Sequence, residues 1–222
     1  MTKRLVVLDL DGTLIPYDFV LEFHKLILAH SSSIKCKILA AFFKVLEEFL
    51  RRCYILLLRF FIGILKIRVE SRYLRLSSHK SYYALLSNFF YACCNKLDII
   101  RCSAVALLNG LRERRKVWEI ALALCNRSNS IGILVTGNHL DFLIRKVQRF
   151  VNVSYVFRSY AIAHGGLVLA YTIDKNAIAR AFNRLDMTET IISDSLYDLV
   201  AFSNAARRLL VKGRSLIEVE SR

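Results

Sequence analysis

Proline is nearly absent from this 222-residue chain, with one copy, and glycine is scarce, with eight. So little turn-forming material argues against a sandwich or barrel of many short strands, and for long helices joined by few loops. Acidic residues are also few: 18 Asp and Glu stand against 33 Lys and Arg, a formal charge of +15. That excess disfavours basic partners and favours phosphate-bearing ones, whether nucleic acid, anionic membrane or a phosphorylated metabolite. Only 23% of residues are charged and 55% are hydrophobic, which excludes a disordered chain. The length lies between one average domain and two, so one core domain with a subordinate element is expected.

Several signatures are missing. Cys36, Cys53, Cys93, Cys94, Cys102 and Cys125 form no C-x-x-C pair, and no histidine stands at zinc-finger spacing behind them. They read as reduced, buried thiols of an intracellular protein. His24, His30, His79, His139 and His164 show no pairing that suggests ligation. Neither G-x-x-x-x-G-K-[ST] nor G-x-G-x-x-G occurs, so a P-loop or dinucleotide site is unsupported. The opening Met1-Thr2-Lys3-Arg4 and Leu5–Leu8 mimic a signal peptide only faintly, because Asp9 and Asp11 cut the apolar run short. A cytoplasmic protein is expected.

What is present alternates. Residues 5–10 are a short β-favouring run that closes on an Asp-Gly turn signal. From Phe19 to about Arg115 the periodicity is helical, with Phe42, Phe43, Leu46, Phe49, Leu50, Cys53 and Tyr54 on one face. Ser31-Ser32-Ser33 and Ser77-Ser78 are candidate breaks or caps in that region. Helices are expected near 117–124, 139–150, 176–183 and 198–206, strands near 131–135, 153–157, 190–193 and 209–211, and an extended piece over 166–172. Strands alternating with helices predict an α/β fold: a Rossmann-like parallel sheet wrapped by helices. The core comprises 1–16 and 117–222, and 17–116 is an inserted all-helical cap.

Active sites of open parallel sheets form outside the carboxyl ends of the strands. The residues expected there are Asp9 and Asp11 after the first strand, Thr136 after the second, and Asp194 and Asp198 after the penultimate one. Lys175 starts the helix before that strand. Three or four acids meeting at one rim would repel one another unless a divalent cation sat among them, and all-oxygen ligation suits Mg²⁺. A cation, a lysine and a threonine can also hold a phosphoryl group and balance its charge.

Asp9-Leu10-Asp11-Gly12-Thr13 resembles the first motif of the haloacid dehalogenase-type hydrolase superfamily, D-x-D-G-T after a hydrophobic strand. Thr136 followed by Gly137 is similar to its second motif, Lys175 to its third, and Ser193-Asp194-Ser195-Leu196-Tyr197-Asp198 to its fourth, G-D-S-x-x-D. A helical insertion between the first and second motifs resembles the phosphoserine-phosphatase-like branch. The resemblance implies a phosphomonoester hydrolase with Asp9 as nucleophile and Asp11 as general acid and base. It implies phosphate binding by Thr136, Gly137 and Lys175. It also implies Mg²⁺ at Asp9, Asp11 (through its carbonyl) and Asp194, with Asp198 supporting the ion or orienting Lys175. Ser193 replaces the usual glycine of the fourth motif, and Tyr197 stands where that branch carries an asparagine. Asp18 takes the place of a substrate-contacting glutamate. The substrate is expected to be a small phosphorylated molecule. The rival reading is a catalytically silent phosphate-binding or membrane-associated module on the same fold.

The insertion carries most of the charge: residues 15–115 hold 17 Lys and Arg against 7 Asp and Glu. It also holds the most apolar run, Tyr54–Leu65, whose twelve residues with an arginine inside cannot cross a bilayer of about 30 Å. Two readings of this run stand. It is a buried cap helix, or a basic amphipathic helix on an anionic membrane surface that brings the site to a lipid-linked phosphate. Nucleic acid is disfavoured, because the basic residues are dispersed and no nucleic-acid motif accompanies them.

Overall fold

The computed structural model describes residues 3–16, 25–26, 28–34, 37–38, 74–76, 96–138, 141–164 and 167–220. Strand β1 (Arg4–Leu8) comes from the Leu-Val-Val-Leu run, and its last four residues are buried. Apolar side chains on both faces suit only the middle of a sheet covered on both sides. β1 takes that place, pairing in parallel with β3 (Ser130–Thr136) and β7 (Thr188–Ser193). β4 (Tyr155–Arg158) and β8 (Arg207–Lys212) extend the two sides in parallel. β9 (Ser215–Glu218) closes one edge antiparallel to β8. The order is β4-β3-β1-β7-β8-β9. After β1 the chain builds β3 and β4 on one side, then returns to build β7 and β8 on the other. The reversal falls at β1, and a crevice at its carboxyl end is where such sheets take ligands.

Five helices are described: α1 (Lys96–Glu113), α2 (Arg115–Cys125), α3 (Asp141–Val151), α4 (Lys175–Leu185) and α5 (Leu196–Ala201). α4 shows how sequence sets their limits. Asp174 caps its start by accepting from the Ala177 N–H, and Asp186 ends it in the left-handed region at φ 48°. Its buried face, Ile178, Ala179 and Phe182, packs on Leu5, Val7, Ile133, Val135 and Ile191. Phe182 meets the Phe157 ring edge-on at 5.8 Å. Burying such a side chain contributes roughly 2–3 kcal/mol, so this packing anchors the helix that presents Lys175.

The chain divides into two compact units. One comprises Met1–Asp18, Leu107–Arg158 and Ile173–Arg222, and contains the six-stranded sheet. The other comprises Phe19–Ala106 and Ser159–Thr172. Ser31 and Ser32 in this second unit donate to the buried Asp98 carboxylate, at 2.8 Å from the Ser31 hydroxyl. A three-stranded sheet, β2-β6-β5, joins β2 (Leu74–Leu76) to the antiparallel pair β5 (Tyr160–His164) and β6 (Leu167–Ile173).

That small sheet departs from the helices-only expectation for 17–116, since Leu74–Leu76 is a strand. β5 was not expected at all. A three-residue strand carries almost no periodic signal, and β2 is defined by β6, a partner some 90 residues away in sequence. α5 is also shorter than expected, because Ala206 already donates to the Thr188 carbonyl at 3.2 Å as β8 begins. Among the described residues no helix is long and apolar enough to cross a membrane. Tyr54–Leu65 and Asp18 lie outside the described residues.

Candidate active site

The first acid follows β1 directly. Asp9 keeps the strand's register through its N–H, which donates to the Ile192 carbonyl of β7 at 3.1 Å. One of its carboxylate oxygens accepts the Leu10 N–H at 2.9 Å. The chain then turns back: the Thr13 and Ile15 N–H groups both donate to the Leu10 carbonyl. Leu10, Leu14 and Ile15 are fully buried, so the loop is held by apolar burial as well as by hydrogen bonds. Gly12 has φ +79°, which only glycine adopts without strain.

Lys175 is an unusual residue to open a helix, because a cation at that end faces the positive pole of the helix dipole. Its partners explain the choice. The ammonium lies 3.1 Å from Asp9 Oδ2 and 2.7 Å from Asp198 Oδ2. The Ser193 hydroxyl donates to the same Asp198 oxygen at 3.2 Å. Ser195 caps α5 by accepting the Asp198 N–H at 3.4 Å, fixing Asp198 in the helix's first turn. Two carboxylates thus share one ammonium. Burial pushes the Asp9 carboxyl up to about 7, with Lys175 pulling it down and Asp198 adding to the rise. Burial pulls the Lys175 pKa down, but the charges of Asp9 and Asp198 outweigh this and leave it raised. The trio lines a cavity of about 10 Å³, room for roughly one water, closed by Val135, Ile191 and Phe202.

Asp194 is held differently. Its Oδ1 accepts the Thr13 hydroxyl proton at 3.0 Å, and its own N–H donates to the same Thr13 oxygen at 2.8 Å. Its carboxylate lies against Gly12, where a Cβ would come within 2.1 Å of Oδ2. Asp11 approaches the Asn138 side-chain amide, whose nitrogen is 3.3 and 3.2 Å from the two carboxylate oxygens. Thr136, at the end of β3, is fully buried, and its hydroxyl oxygen accepts the Asn138 N–H at 3.0 Å. Gly137 lies between them, partly exposed.

All of the expected site residues except Asp18 therefore sit at or just beyond the ends of β1, β3 and β7, at the start of α4 or in the first turn of α5. The acids are not one cluster: among the described residues, no three His, Cys, Asp or Glu side chains group as a metal cage. Asp198 is committed to Lys175 and Ser193, which suits orienting the lysine rather than ligating an ion. Two carboxylates, Asp9 and Asp194, and the Asp11 carbonyl leave a hard-oxygen donor set of the kind Mg²⁺ takes with waters completing its shell. The all-oxygen chemistry of this set fits a hard divalent cation.

Three contributors were not singled out from the sequence. Asn138 was not named as a site residue, although its place two residues beyond a strand-end threonine was the available signal. Ser193 was read as a replaced glycine, yet its hydroxyl binds both Asp198 and the Ser195 N–H, the latter at 3.2 Å. Arg114 gave no signal: it stands among other arginines, and its side chain donates to the Gly12 carbonyl at 3.0 Å across 102 residues.

No family model matches the chain, and no curated protein matches it. Solved structures do resemble it. A phosphoserine phosphatase in apo form aligns over 93% of this chain and 85% of its own at 11% identity, TM-score 0.46. A phospho-aspartyl intermediate analogue of phosphoserine phosphatase aligns over 94% and 86% at 12% identity, TM-score 0.42. A HAD family hydrolase from Salmonella enterica subsp. enterica serovar Typhi aligns over 90% and 60% at 13% identity, TM-score 0.36.

Proposed function

We propose that the protein is a haloacid dehalogenase-type phosphohydrolase that cleaves a phosphomonoester through an aspartyl-phosphate on Asp9. The observation that carries this reading is the shared ammonium: Lys175 bridges Asp9 and Asp198 at the carboxyl end of the central strand. A carboxylate held there is placed to attack, and its neighbouring cation can neutralise an incoming phosphoryl group.

In the first half, an Asp9 oxygen bonds to phosphorus while the bond to the leaving oxygen breaks, and the Asp11 carboxyl gives that oxygen its proton. In the second, Asp11 takes a proton from water as the water oxygen attacks phosphorus, freeing Asp9 and inorganic phosphate. Asn138 keeps Asp11 turned toward this work, with Thr136 and Gly137 placed for the phosphate oxygens. Asp9, the Asp11 carbonyl and Asp194 would hold Mg²⁺, which when bound supplies charge to the phosphoryl oxygens. The substrate class is a small phosphorylated molecule, and the expected setting is the cytoplasm.

Turnover of an aryl phosphate by the full chain with Mg²⁺ tests the reading. Hydrolysis that stops with a chelator and in Asp9→Asn supports it. Wild-type activity in Asp9→Asn would remove Asp9 as nucleophile, and no turnover by the wild-type chain would favour the silent module.

A further inference from the structure

α2 begins where a small hydrogen-bond acceptor is the usual choice, yet the position is held by Arg114, which makes no side-chain cap. A residue that breaks a local rule at no local gain points to a task elsewhere. Arg114 is 8% exposed, an unusual burial for an arginine, and it sends one guanidinium nitrogen to the Gly12 carbonyl at 3.0 Å. Its Nε, equally buried, has no hydrogen-bond partner among the described residues. One turn on, Trp118 donates its indole N–H to the Leu14 carbonyl at 2.7 Å. The residue between, Thr13, is tied to Asp194 through its hydroxyl. Each member of Gly12-Thr13-Leu14 is therefore fastened by a side chain distant in sequence, and two of the three fasteners come from the start of α2. The Asp194 charge also reaches Arg114, opposing the fall in its pKa that burial causes.

We propose that Arg114 is a positioning residue. By holding the carbonyl of Gly12, against which the Asp194 carboxylate packs, it fixes the spacing between the Asp11–Gly12 turn and Asp194, the two sides of the proposed cation site. Its consequence for the cation rests on the phosphohydrolase reading; its hold on the loop does not. The charges agree with this role. Asp9, Asp11, Asp194 and Asp198 against Lys175 and Arg114 leave two negative charges when all are ionised, the complement of one divalent cation. A lysine could not replace the planar fork without losing donors.

Full-length wild type, Arg114→Met, Arg114→Lys and the neighbouring control Arg115→Ala decide the matter. Arg115 is exposed and pairs with Glu119 one turn away. Hydrogen exchange is read at the Thr13 and Ile15 amides, and Mg²⁺ alone is titrated by calorimetry. In Arg114→Met those two amides exchange about tenfold faster or more, while the β7–β8 ladder keeps its protection. The same variant binds Mg²⁺ about tenfold more weakly, in the range seen when groups that support metal ligands are removed. Arg114→Lys restores part of both, and Arg115→Ala matches wild type. Unchanged exchange at Thr13 and Ile15 in Arg114→Met overturns the proposal whatever the enzyme's activity. Faster exchange with unchanged Mg²⁺ affinity overturns its cation half. A wild type that takes up no Mg²⁺ and turns over no phosphomonoester removes the phosphohydrolase reading instead, and the exchange data then decide the loop alone. If Arg114→Met does not fold, Arg114→Lys carries the comparison in the same direction.

Discussion

Asp9 and Asp198 lean on one full positive charge, Lys175 at 3.1 and 2.7 Å, whereas Asp194 rests on the Thr13 hydroxyl and the Gly12 turn, with Arg114's charge farther off. The first arrangement is short of positive charge, since one ammonium cannot neutralise two carboxylates. Burial makes Asp9 hold its proton up to about 7, and the charge of Asp198 adds to that effect. The second arrangement is short of something else: Asp194 is fixed in direction by hydroxyl and backbone but keeps an oxygen turned to the cradle beside Gly12. On the proposed function, one flank is built around a reactive carboxylate that needs charge brought to it, and the other around a ligand held in place to receive that charge. On that reading, their union in one rim makes a nucleophile that is quiet until a cation and a phosphoryl group arrive.

The hardest test of this division is Asp9→Asn. On the proposed chemistry turnover falls by about 10⁴-fold or more, as when a covalent nucleophile is lost. Above pH 7 the same change raises stability, because a buried carboxylate that must ionise is replaced by a neutral isostere. Loss of activity with a higher midpoint in urea confirms both halves. A lower midpoint would show that the negative charge of Asp9 stabilises the fold.

Lys175→Met comes next. It leaves Asp9 and Asp198 buried without their counter-ion, and breaking such a pair costs about 3 kcal/mol. The lower end of the usual range applies because the Lys175 side chain keeps 26% of its surface exposed. Denaturant unfolding at pH 8 reads the loss, which shrinks toward pH 5 as the Asp9 carboxyl protonates. A cost below about 1 kcal/mol at both pH values would mean that the trio is screened by water and not the buried unit described here.

Gly12→Ala acts on the other flank. A Cβ would stand 2.1 Å from Asp194 Oδ2, and φ +79° is strained for any residue with a side chain. About 2 kcal/mol of stability is expected to go, together with Mg²⁺ affinity, since Asp194 must move. Unaltered Mg²⁺ binding in a folded Gly12→Ala protein would exclude Asp194 from the cation site.

How much of this was readable beforehand differs between the flanks and between the units. The parallel sheet and the strand-end positions of Asp9, Thr136 and Asp194 follow from short apolar runs that stop at polar turns, a local signal that survives without structure. Lys175 was legible as a helix start and Asp198 as a candidate partner through the family resemblance, but the ion pair with Asp9 was not, because it joins residues far apart in sequence. Arg114 and Asn138 act through distant partners, and no periodicity reports such a contact. The three-stranded sheet failed for a related reason: β2 exists through pairing with β6 and not through its own three residues. Sequence pattern shows which face is buried; it does not show who waits on the other side of a turn.

The effect spread over the widest range of conditions is the one that ties the flanks together through pH. In the metal-free protein the Asp9 carboxyl is raised to about 7 from the 3.8 of an unperturbed aspartate. Between those values the folded chain binds more protons than the unfolded one, so stability falls as pH rises and levels off above 7. The slope is at most about 1.4 kcal/mol per pH unit, and somewhat less once water reaches the rim. Urea unfolding at pH 5, 6, 7 and 8 measures it. Saturating Mg²⁺ is expected to reverse the trend, because the ion binds the ionised form and competes with the proton. A metal-free stability that rises from pH 5 to 7 would mean that Asp9 is ionised well below neutrality. The burial that holds the proton on Asp9 would then be too weak to do so.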